Sequence, residues 1–372
     1  MPLVRRRTHE SLDRRRRTMV STESAAANEL LAVRAAELYY EENKTQDEIG
    51  AILRVTRWKV GRLLSQARER GIIRIEIVHP RARRLALERE LGARFGLKDA
   101  IVVPAPVDEV ELQARVAEAA ADYLVSVRPV PRLLGVSWGR TLHQVAESLP
   151  VGWSTGVNVV QINGGVSLSK RPGTAASTAV MIAQKAGGQA TLLPSPAILE
   201  RLETKKAIES DRTVGGVVQM ARGAAAYLFS AGVADTSSVH VDSGYLTADD
   251  IAELRERGAV GDVIGRYITA DGTIADPELD ARTLGLGLEE LRSAASSILV
   301  IGGEAKHAVA RAIVTHGLCS VIVTDEHTAR ALLDDLDGDA AADASAGAPD
   351  SGSSGAAAPS GHHDSPAEGS AS

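Results

Sequence analysis

Cysteine is almost absent from this sequence: the 372 residues contain one, Cys319, in the apolar segment LCSVIVT. A single cysteine excludes an internal disulfide. Its apolar neighbours favour a buried, unreactive thiol at the edge of a strand over a reactive one.

Long apolar runs are also missing. No stretch of about eighteen apolar residues occurs, and the start lacks the charged, then apolar, then small-residue pattern of a secretory signal. We therefore expect a cytoplasmic protein that neither enters a membrane nor is exported. With 44% hydrophobic and 24% charged residues, a chain of this length should bury a large core and form more than one domain.

Positive charge is scarce outside the first part of the chain. Residues 1–78 hold 16 Lys and Arg against 11 Asp and Glu, whereas the remainder holds 26 against 37. This split predicts that one end meets a polyanion, while the acidic body is soluble and repels nucleic acid.

The two ends of the chain lack any apolar period around which to fold. Residues 1–27 contain the arginine clusters 5–7 and 14–17, which indicate a solvated arm. The arm is either an ordinary leader, with translation starting at Met1 or Met19, or a source of nonspecific phosphate contacts. Residues 336–372 form a low-complexity tail, and its pair His362-His363 is not expected to bind a metal.

The segment TQDEIGAILRVTRWKVGRLL and the residues before it predict three helices. Apolar spacing places a first helix over residues 28–42. Thr45 and Glu48 have the spacing of a capping box, which starts a short second helix with Ile49, Ile52 and Leu53 on one face. Thr56 caps a third helix that turns Val60, Leu63 and Leu64 inward. Two short helices joined by a tight turn form a helix-turn-helix unit.

The outward face of the third helix is cationic, as expected of a helix that reads bases in the major groove of double-stranded DNA. The predicted contacts to operator DNA, together with the capping residues, are Lys44, Thr45, Thr56, Arg57, Trp58, Lys59 and Arg62. Arg68, Arg70 and Arg74 are expected to hold flanking phosphates. Trp58 either packs on the bundle or touches thymine methyl groups, and the alternative for the whole unit is a solvated helical bundle without a ligand.

After Gly71 the alternating segment IIRIEIV predicts a strand, and residues 79–97 a connecting helix. Short apolar segments then alternate with helical ones, and six are predicted strands: AIVVP, RLLGVSW, VNVVQINGG, SVHVD, SILVIGG and SVIVT. This repetition predicts an α/β domain with a doubly wound parallel sheet, which binds ligands at the carboxyl ends of its strands.

Three loops at those strand ends are candidates for ligand binding. In GVSWGRTL, small residues lead into a helix whose first amides suit an anion, with Ser137, Arg140 and Thr141 as further donors. In IGGEAKH, Gly302 and Gly303 lead into a helix that carries Lys306. The turn Asn163-Gly164-Gly165 offers amides. The alternative in each case is a simple tight connection.

These segments, taken in order, resemble the SorC family of sugar-binding bacterial transcription regulators. The resemblance covers residues 28 to 335 and is carried by the helix-turn-helix segment together with GVSWGRTL, NGG, LPSPAILE, VGDVIGRYITADG and VIGGEAKHAVARAIVTHGLCSVIVTDEHTARALL. It implies an effector domain similar to phosphosugar isomerases and deaminases, a sugar or sugar-phosphate effector, no cofactor, and dimers or tetramers on an operator.

The resemblance also implies which residues bind the effector: Ser137, Trp138, Gly139, Arg140, Thr141, Asn163, Gly164, Gly165, Asp271, Gly303, Glu304 and Lys306. Two positions depart from the family pattern. Asn163 stands where deoxyribonucleoside-regulator-like members carry a lysine able to form a Schiff base, and Gly61 replaces a commonly polar residue. Covalent capture of a sugar at Asn163 is therefore not expected.

The implied organisation is a disordered basic arm (1–27), a helix-turn-helix DNA-binding domain (28–78), a linker helix (79–97), an effector and oligomerisation domain (98–335) and a disordered tail (336–372). The alternative function is a phosphosugar isomerase- or deaminase-like enzyme with an appended DNA-binding domain. Asp242, Asp271, Glu304 and His307 would then be acid or base candidates. No paired carboxylates isolate a catalytic dyad, so no catalytic residue is assigned.

Overall fold

The computed structural model describes residues 28–73, 83–165 and 175–334. The chain divides into two compact units between residues 79 and 80. The predicted arm and tail, and all but the start of the predicted strand after Gly71, lie outside the described residues.

The amino-terminal unit contains helix α1 over residues 28–40, α2 (Gln46–Leu53) and α3 (Arg57–Glu69). Both predicted caps are confirmed. The Thr45 hydroxyl accepts the Glu48 N–H at 3.3 Å while the Glu48 carboxylate accepts the Thr45 N–H at 2.8 Å. The Thr56 hydroxyl accepts the Lys59 N–H at 3.3 Å.

The core of this unit follows the predicted pattern with one exception. Ile49, Val60, Leu63 and Leu64 are buried as predicted, but Ile52 is 50% exposed. Ile52 is rotated about 60° around α2 from Ile49, so it lies beside the buried face instead of within it.

A tight turn joins α2 to α3. Arg54 adopts a left-handed conformation with φ of 56°, which reverses the chain after α2. A Cβ added at Gly50 would lie 2.8 Å from the Val55 carbonyl oxygen. Gly50 therefore permits the close approach that places α3 across α2.

The second unit begins with α4 (Leu85–Phe95) and is built on a seven-stranded sheet in the order β1-β10-β9-β5-β2-β3-β4, with every pair parallel. The strands are β1 (Asp99–Val103), β2 (Leu133–Val136), β3 (Asn158–Gln161), β4 (Ala190–Thr191), β5 (Ala226–Phe229), β9 (Ser297–Val300) and β10 (Val321–Asp325). Separate apolar clusters cover its two faces. The predicted doubly wound α/β class is confirmed.

The helices that follow the strands are α5 (Glu109–Ser126), α6 (Arg140–Ser148), α7 (Ala175–Lys185), α8 (Leu202–Ser210), α9 (Arg212–Arg222), α10 (Val239–Asp242), α11 (Ala248–Glu256), α12 (Pro277–Arg282), α13 (Leu288–Arg292), α14 (His307–Thr315) and α15 over residues 326–334. A 3₁₀ turn, Glu304–Lys306, precedes α14. None of the helices within the described ranges has the length and apolar character needed to span a bilayer.

Several elements differ from the sequence prediction. The segment SVHVD is not a strand, because the Ser238 hydroxyl caps the short helix α10 and turns His240 into the interior. The predicted strands include neither the edge strand β4 nor the fully buried strand β5, which is the middle strand of the sheet. It continues into a second, antiparallel sheet of β6 (Ala231–Val233), β7 (Ala259–Val263) and β8 (Arg266–Thr269).

Cys319 is buried in the core of the second unit, as predicted. Burial away from water raises the pKa of its thiol to about 12. A thiol with that pKa stays protonated at neutral pH and is therefore a poor nucleophile.

Candidate functional site

The outer face of α3 holds most of the predicted DNA contacts. Arg57 and Arg62 are exposed, Lys44 and Lys59 are half-buried, and Trp58 is 90% exposed. The Arg57 guanidinium lies 3.6 Å from the Asp47 carboxylate, a pair that is exposed on both sides and therefore weak. Thr45 and Thr56 use their hydroxyl oxygens to cap α2 and α3. These two threonines therefore help to position α2 and α3, whether or not they also contact DNA.

A cavity of about 140 Å³ opens in the second unit at the carboxyl ends of β2, β3 and β5, beside the antiparallel sheet. This is the edge at which a parallel sheet binds its ligands. Six of the predicted effector residues line it: Ser137, Trp138, Arg140, Thr141, Asn163 and Lys306.

The loop between β2 and α6 shapes one wall of the cavity. The Ser137 N–H donates to the Leu228 carbonyl oxygen at 3.0 Å, which extends the sheet by one residue. Gly139, with φ of 139°, then turns the chain into α6. The first turn of α6 leaves backbone N–H groups without intrahelical acceptors, and Arg140 and Thr141 stand at that turn. This end of the cavity suits an anion.

Lys306 and Arg140 add positive charge to the same cavity. Burial, and next the charge of Arg140, lower the pKa of the Lys306 ammonium to about 8, while Asp262 and Glu109 oppose that change. Asp262 is buried and accepts the Gly265 N–H at 3.0 Å. Within the described residues, no ion pair is formed by Lys306, Arg140 or Asp262. An anionic ligand would therefore meet two cations that are not already neutralised by direct pairing.

Buried polar atoms without partners line the other walls. The Asn163 Oδ1, Ser230 Oγ and His240 Nε2 atoms have no hydrogen-bond partner among the described residues, and Asn163 and His240 are 3% and 1% exposed. The opposite ring nitrogen of His240 lies 3.2 Å from the Tyr267 hydroxyl, which is also 3.3 Å from the Ser238 hydroxyl. Unpaired buried polar atoms are costly, so they indicate a site for hydroxyl groups of a ligand or for water.

The glycines of the Asn163-Gly164-Gly165 segment do not line the cavity. Their N–H groups donate to the carbonyl oxygens of Leu284 at 3.0 Å and Ser195 at 2.9 Å. These amides are therefore not available to a ligand, in contrast to the sequence prediction. Instead, the Gly164 carbonyl oxygen accepts the Trp138 indole N–H at 2.8 Å and so fixes that ring in the wall.

Four further predicted residues lie outside the cavity lining: Gly139, Gly303, Glu304 and Asp271. The Gly303 N–H donates to the Asp325 carboxylate at 3.0 Å, so Gly303 anchors the loop that presents Lys306. Asp271 lies on an exposed turn next to Gly272, which faces His316 just beyond the end of α14. Lys306 lies at the opposite end of α14, and the length of the helix separates the two ends by about 13 Å. The structure therefore separates Asp271 from the other predicted residues.

Sequence reasoning missed the cavity residues contributed by β5, the antiparallel sheet and α10. These include Ser230, Ser238, His240, Asp262 and Gly265. The segment SVHVD offered one signal, since a histidine between two valines is unusual in a fully buried strand. Asp262 and Gly265 lie in the motif VGDVIGRYITADG, whose sequence alone predicts no role for either.

The amino-terminal unit has the three-helix form of a helix-turn-helix DNA-binding domain, and the second unit is an α/β domain with a polar cavity at the ends of its strands. Together they define a ligand-responsive transcription regulator. Residues 79–334 match the family Sugar-bind, a sugar-binding domain. The chain therefore belongs to the SorC family of sugar-binding transcription regulators.

Similarity to individual proteins extends over most of the chain. The deoxyribonucleoside regulator of Bacillus subtilis is 32% identical over 307 residues, covering 82% of this chain and 98% of that protein. The transcriptional regulator LsrR of Klebsiella pneumoniae is 31% identical over 315 residues, covering 83% and 94%. The crystal structure of the full-length sorbitol operon regulator SorC from Klebsiella pneumoniae aligns with a TM-score of 0.63 and 26% identity, covering 82% and 98%.

Proposed function

We propose that this protein binds double-stranded operator DNA through α3 and that a sugar phosphate in the second unit's cavity controls that binding. The main observation in support is that one cavity is lined both by cations without an ion pair and by buried polar atoms without a hydrogen-bond partner, among the described residues. A ligand with a phosphate at one end and hydroxyl groups along its length matches both sets.

The phosphate end of the ligand would lie against the first turn of α6, between Arg140 and Lys306. Helix amides favour an anion there, and a guanidinium and an ammonium add charge-assisted hydrogen bonds. The hydroxyl groups of the sugar would donate to Asn163 Oδ1 and pair with Ser230 and His240. The amide of Asn163 cannot form a Schiff base, so the sugar would be held without a covalent bond.

The assembly that binds DNA would be a dimer or tetramer. A single helix-turn-helix unit makes few base contacts, so specific binding is expected to use two half-sites about one helical turn, or a multiple, apart. The operator would then be nearly palindromic. As a binder of the chromosome, such a protein acts in the cytoplasm.

The alternative is an enzyme that retains the chemistry of a phosphosugar isomerase or deaminase. Its acid and base candidates Asp242, Asp271, Glu304 and His307 are not among the residues that line the cavity. Asp262 is the carboxylate that does line it, and no second carboxylate there forms a pair with it. We therefore favour a sensor that binds its ligand unchanged.

A thermal-shift screen of the full chain against phosphorylated sugars and their unphosphorylated counterparts tests this proposal. A phosphorylated ligand at 100 times its dissociation constant should stabilise the protein by roughly 2.7 kcal/mol, and its counterpart should not. Equal stabilisation by both would contradict the phosphate assignment. Conversion of the ligand during incubation, followed by chromatography, would favour the enzyme instead.

A further inference from the structure

One large side chain on the DNA-binding unit has no partner in the described structure. Trp58 is 90% exposed, and it makes no ring contact or hydrogen bond with any described residue. It is the second residue of α3, where a reading helix contacts base edges. Tryptophan is enriched at interfaces because its ring is apolar and its N–H is polar, so this indole is a candidate contact residue.

The residues on the two faces of α3 recur at the same helical spacing, but one face is apolar and buried whereas the other faces outward. Val60, Leu63, Leu64 and Ala67 form the buried face, at helical spacings of three, four and seven. Trp58, Gly61, Arg62 and Ser65 follow the identical spacing on the outer face. Trp58 and Arg62 are therefore neighbours on one outward stripe, four residues apart.

Gly61 keeps that stripe open between Trp58 and Arg62. A Cβ built at Gly61 finds only the Gln46 amide oxygen, at 3.6 Å, so no backbone contact requires a glycine here. A residue without a side chain lets a base pair approach the helix closely, and the indole can then lie along a base edge.

Charge decides which partner fits this surface. The exposed or half-buried cations Arg57, Lys59 and Arg62 flank Trp58 in α3, and Asp47 is the acidic group that pairs with Arg57. A cationic surface complements the negatively charged DNA. The apolar ring within it complements the thymine methyl group, which is the apolar group that base edges present in the major groove.

We infer that Trp58 reads a thymine methyl group and that Arg62 reads a guanine about two base pairs away in the same half-site. The separation follows from a rise of about 6 Å over four helical residues against about 3.4 Å per base-pair step. This inference rests on the proposed function, since it assigns sequence preference to the same DNA-binding helix.

The test uses the full chain and replaces thymine by deoxyuridine, which removes the methyl group alone. Duplexes enriched from a random library by the wild-type protein define the half-site and the thymine position. At that position deoxyuridine should weaken wild-type binding about fourfold, the equivalent of about 0.8 kcal/mol for one buried methyl-sized group. Trp58→Ala should bind both duplexes alike, and Trp58→Phe should restore the difference.

Arg62→Ala is the matched control, because it should keep the thymine discrimination while losing the preference for guanine. The inference is overturned if the wild type fails to distinguish thymine from deoxyuridine at every enriched position, or if Trp58→Ala still does. It is also overturned if Trp58→Ala dissociates the protein during sedimentation, since the indole would then belong to a contact between copies. Failure to enrich any duplex would overturn the proposed function itself.

Discussion

The protonation of Lys306 depends strongly on its surroundings. Its amine has a pKa of about 8 instead of the ordinary 10.5, because burial and the charge of Arg140 disfavour the ammonium form. The ammonium therefore loses its proton as the pH rises through about 8, while a phosphate monoester keeps its two negative charges. The attraction between Lys306 and such a ligand decreases over that range.

The affinity for a phosphorylated effector should thus fall about tenfold between pH 7 and pH 9, following the protonated fraction of Lys306. Calorimetric titration at a series of pH values measures this dependence. Lys306→Met should bind weakly at pH 7 and show a flat profile. Asp262→Asn serves as the matched control: removing its charge should lower the pKa of Lys306 further and move the decline to lower pH. An unchanged profile in Lys306→Met would assign the titration to another group.

At the scale of elements, the turn between α2 and α3 depends on a close backbone approach. A Cβ at Gly50 would lie 2.8 Å from the Val55 carbonyl oxygen, whereas a Cβ at Gly61 would lie 3.6 Å from the nearest atom, on a flexible side chain. Both glycines are in helices, so the comparison separates packing from helix propensity.

Gly50→Ala should destabilise the amino-terminal unit by about 1–3 kcal/mol, because the turn must open to admit the methyl group. Gly61→Ala should instead stabilise it by up to about 1 kcal/mol, through helix propensity alone. Thermal melts of both full-length variants, followed by circular dichroism, measure the two changes. Equal effects of the two substitutions would show that the turn is looser than the described geometry.

The edge strand β1 of the large sheet is covered by hydrogen bonds from the segment before α4 and from α4 itself. The Arg84 N–H donates to the Val102 carbonyl oxygen at 2.8 Å, and the buried Glu88 carboxylate accepts the Val102 N–H at 2.9 Å. The Arg83 guanidinium donates to Glu88 at 2.7 and 2.8 Å and to the Ala100 carbonyl oxygen at 3.2 Å. The segment before α4 and the helix itself thus supply the pairs that a neighbouring strand would give β1.

Glu88→Ala should destabilise the second unit by about 2–3 kcal/mol, because it leaves the buried Val102 N–H without its acceptor and removes the ion pair with Arg83. Urea denaturation of the full-length variant measures the loss. Glu90→Ala, on the exposed side of the same helix, is the control and should cost less than about 0.5 kcal/mol. Similar costs for both variants would mean that Glu88 contributes through helix formation alone.

Local sequence patterns are sufficient to predict α3 and most strands of the large sheet. The caps at Thr45 and Thr56 and the apolar spacing of α3 are encoded within a few residues, so sequence reasoning found them. The valines of SVHVD predict a strand, but the hydroxyl of Ser238 caps a helical turn. Local patterns do not place His240 and Asp262 in the cavity that Asn163 lines, because that placement depends on α10 and the antiparallel sheet lying beside the strand ends.

At the scale of the whole molecule, control by an effector requires that the binding free energies of effector and operator DNA be coupled. An effector that binds one arrangement of the assembly better than another shifts the population toward it, and the coupling is typically 1–3 kcal/mol. Because this linkage is reciprocal, operator DNA must change the affinity for the effector by the same factor. A ligand with equal affinity for both arrangements would leave DNA binding unchanged.

The most direct test of the central claim is the affinity of the full chain for its selected operator with and without the stabilising sugar phosphate. We expect the operator affinity to change roughly 5- to 150-fold in the presence of the ligand, and the ligand affinity to change by the same factor when operator is added. Lys306→Met should bind operator normally and lose the response to the ligand. Operator affinity that is identical with and without a ligand bound to the cavity would contradict the account.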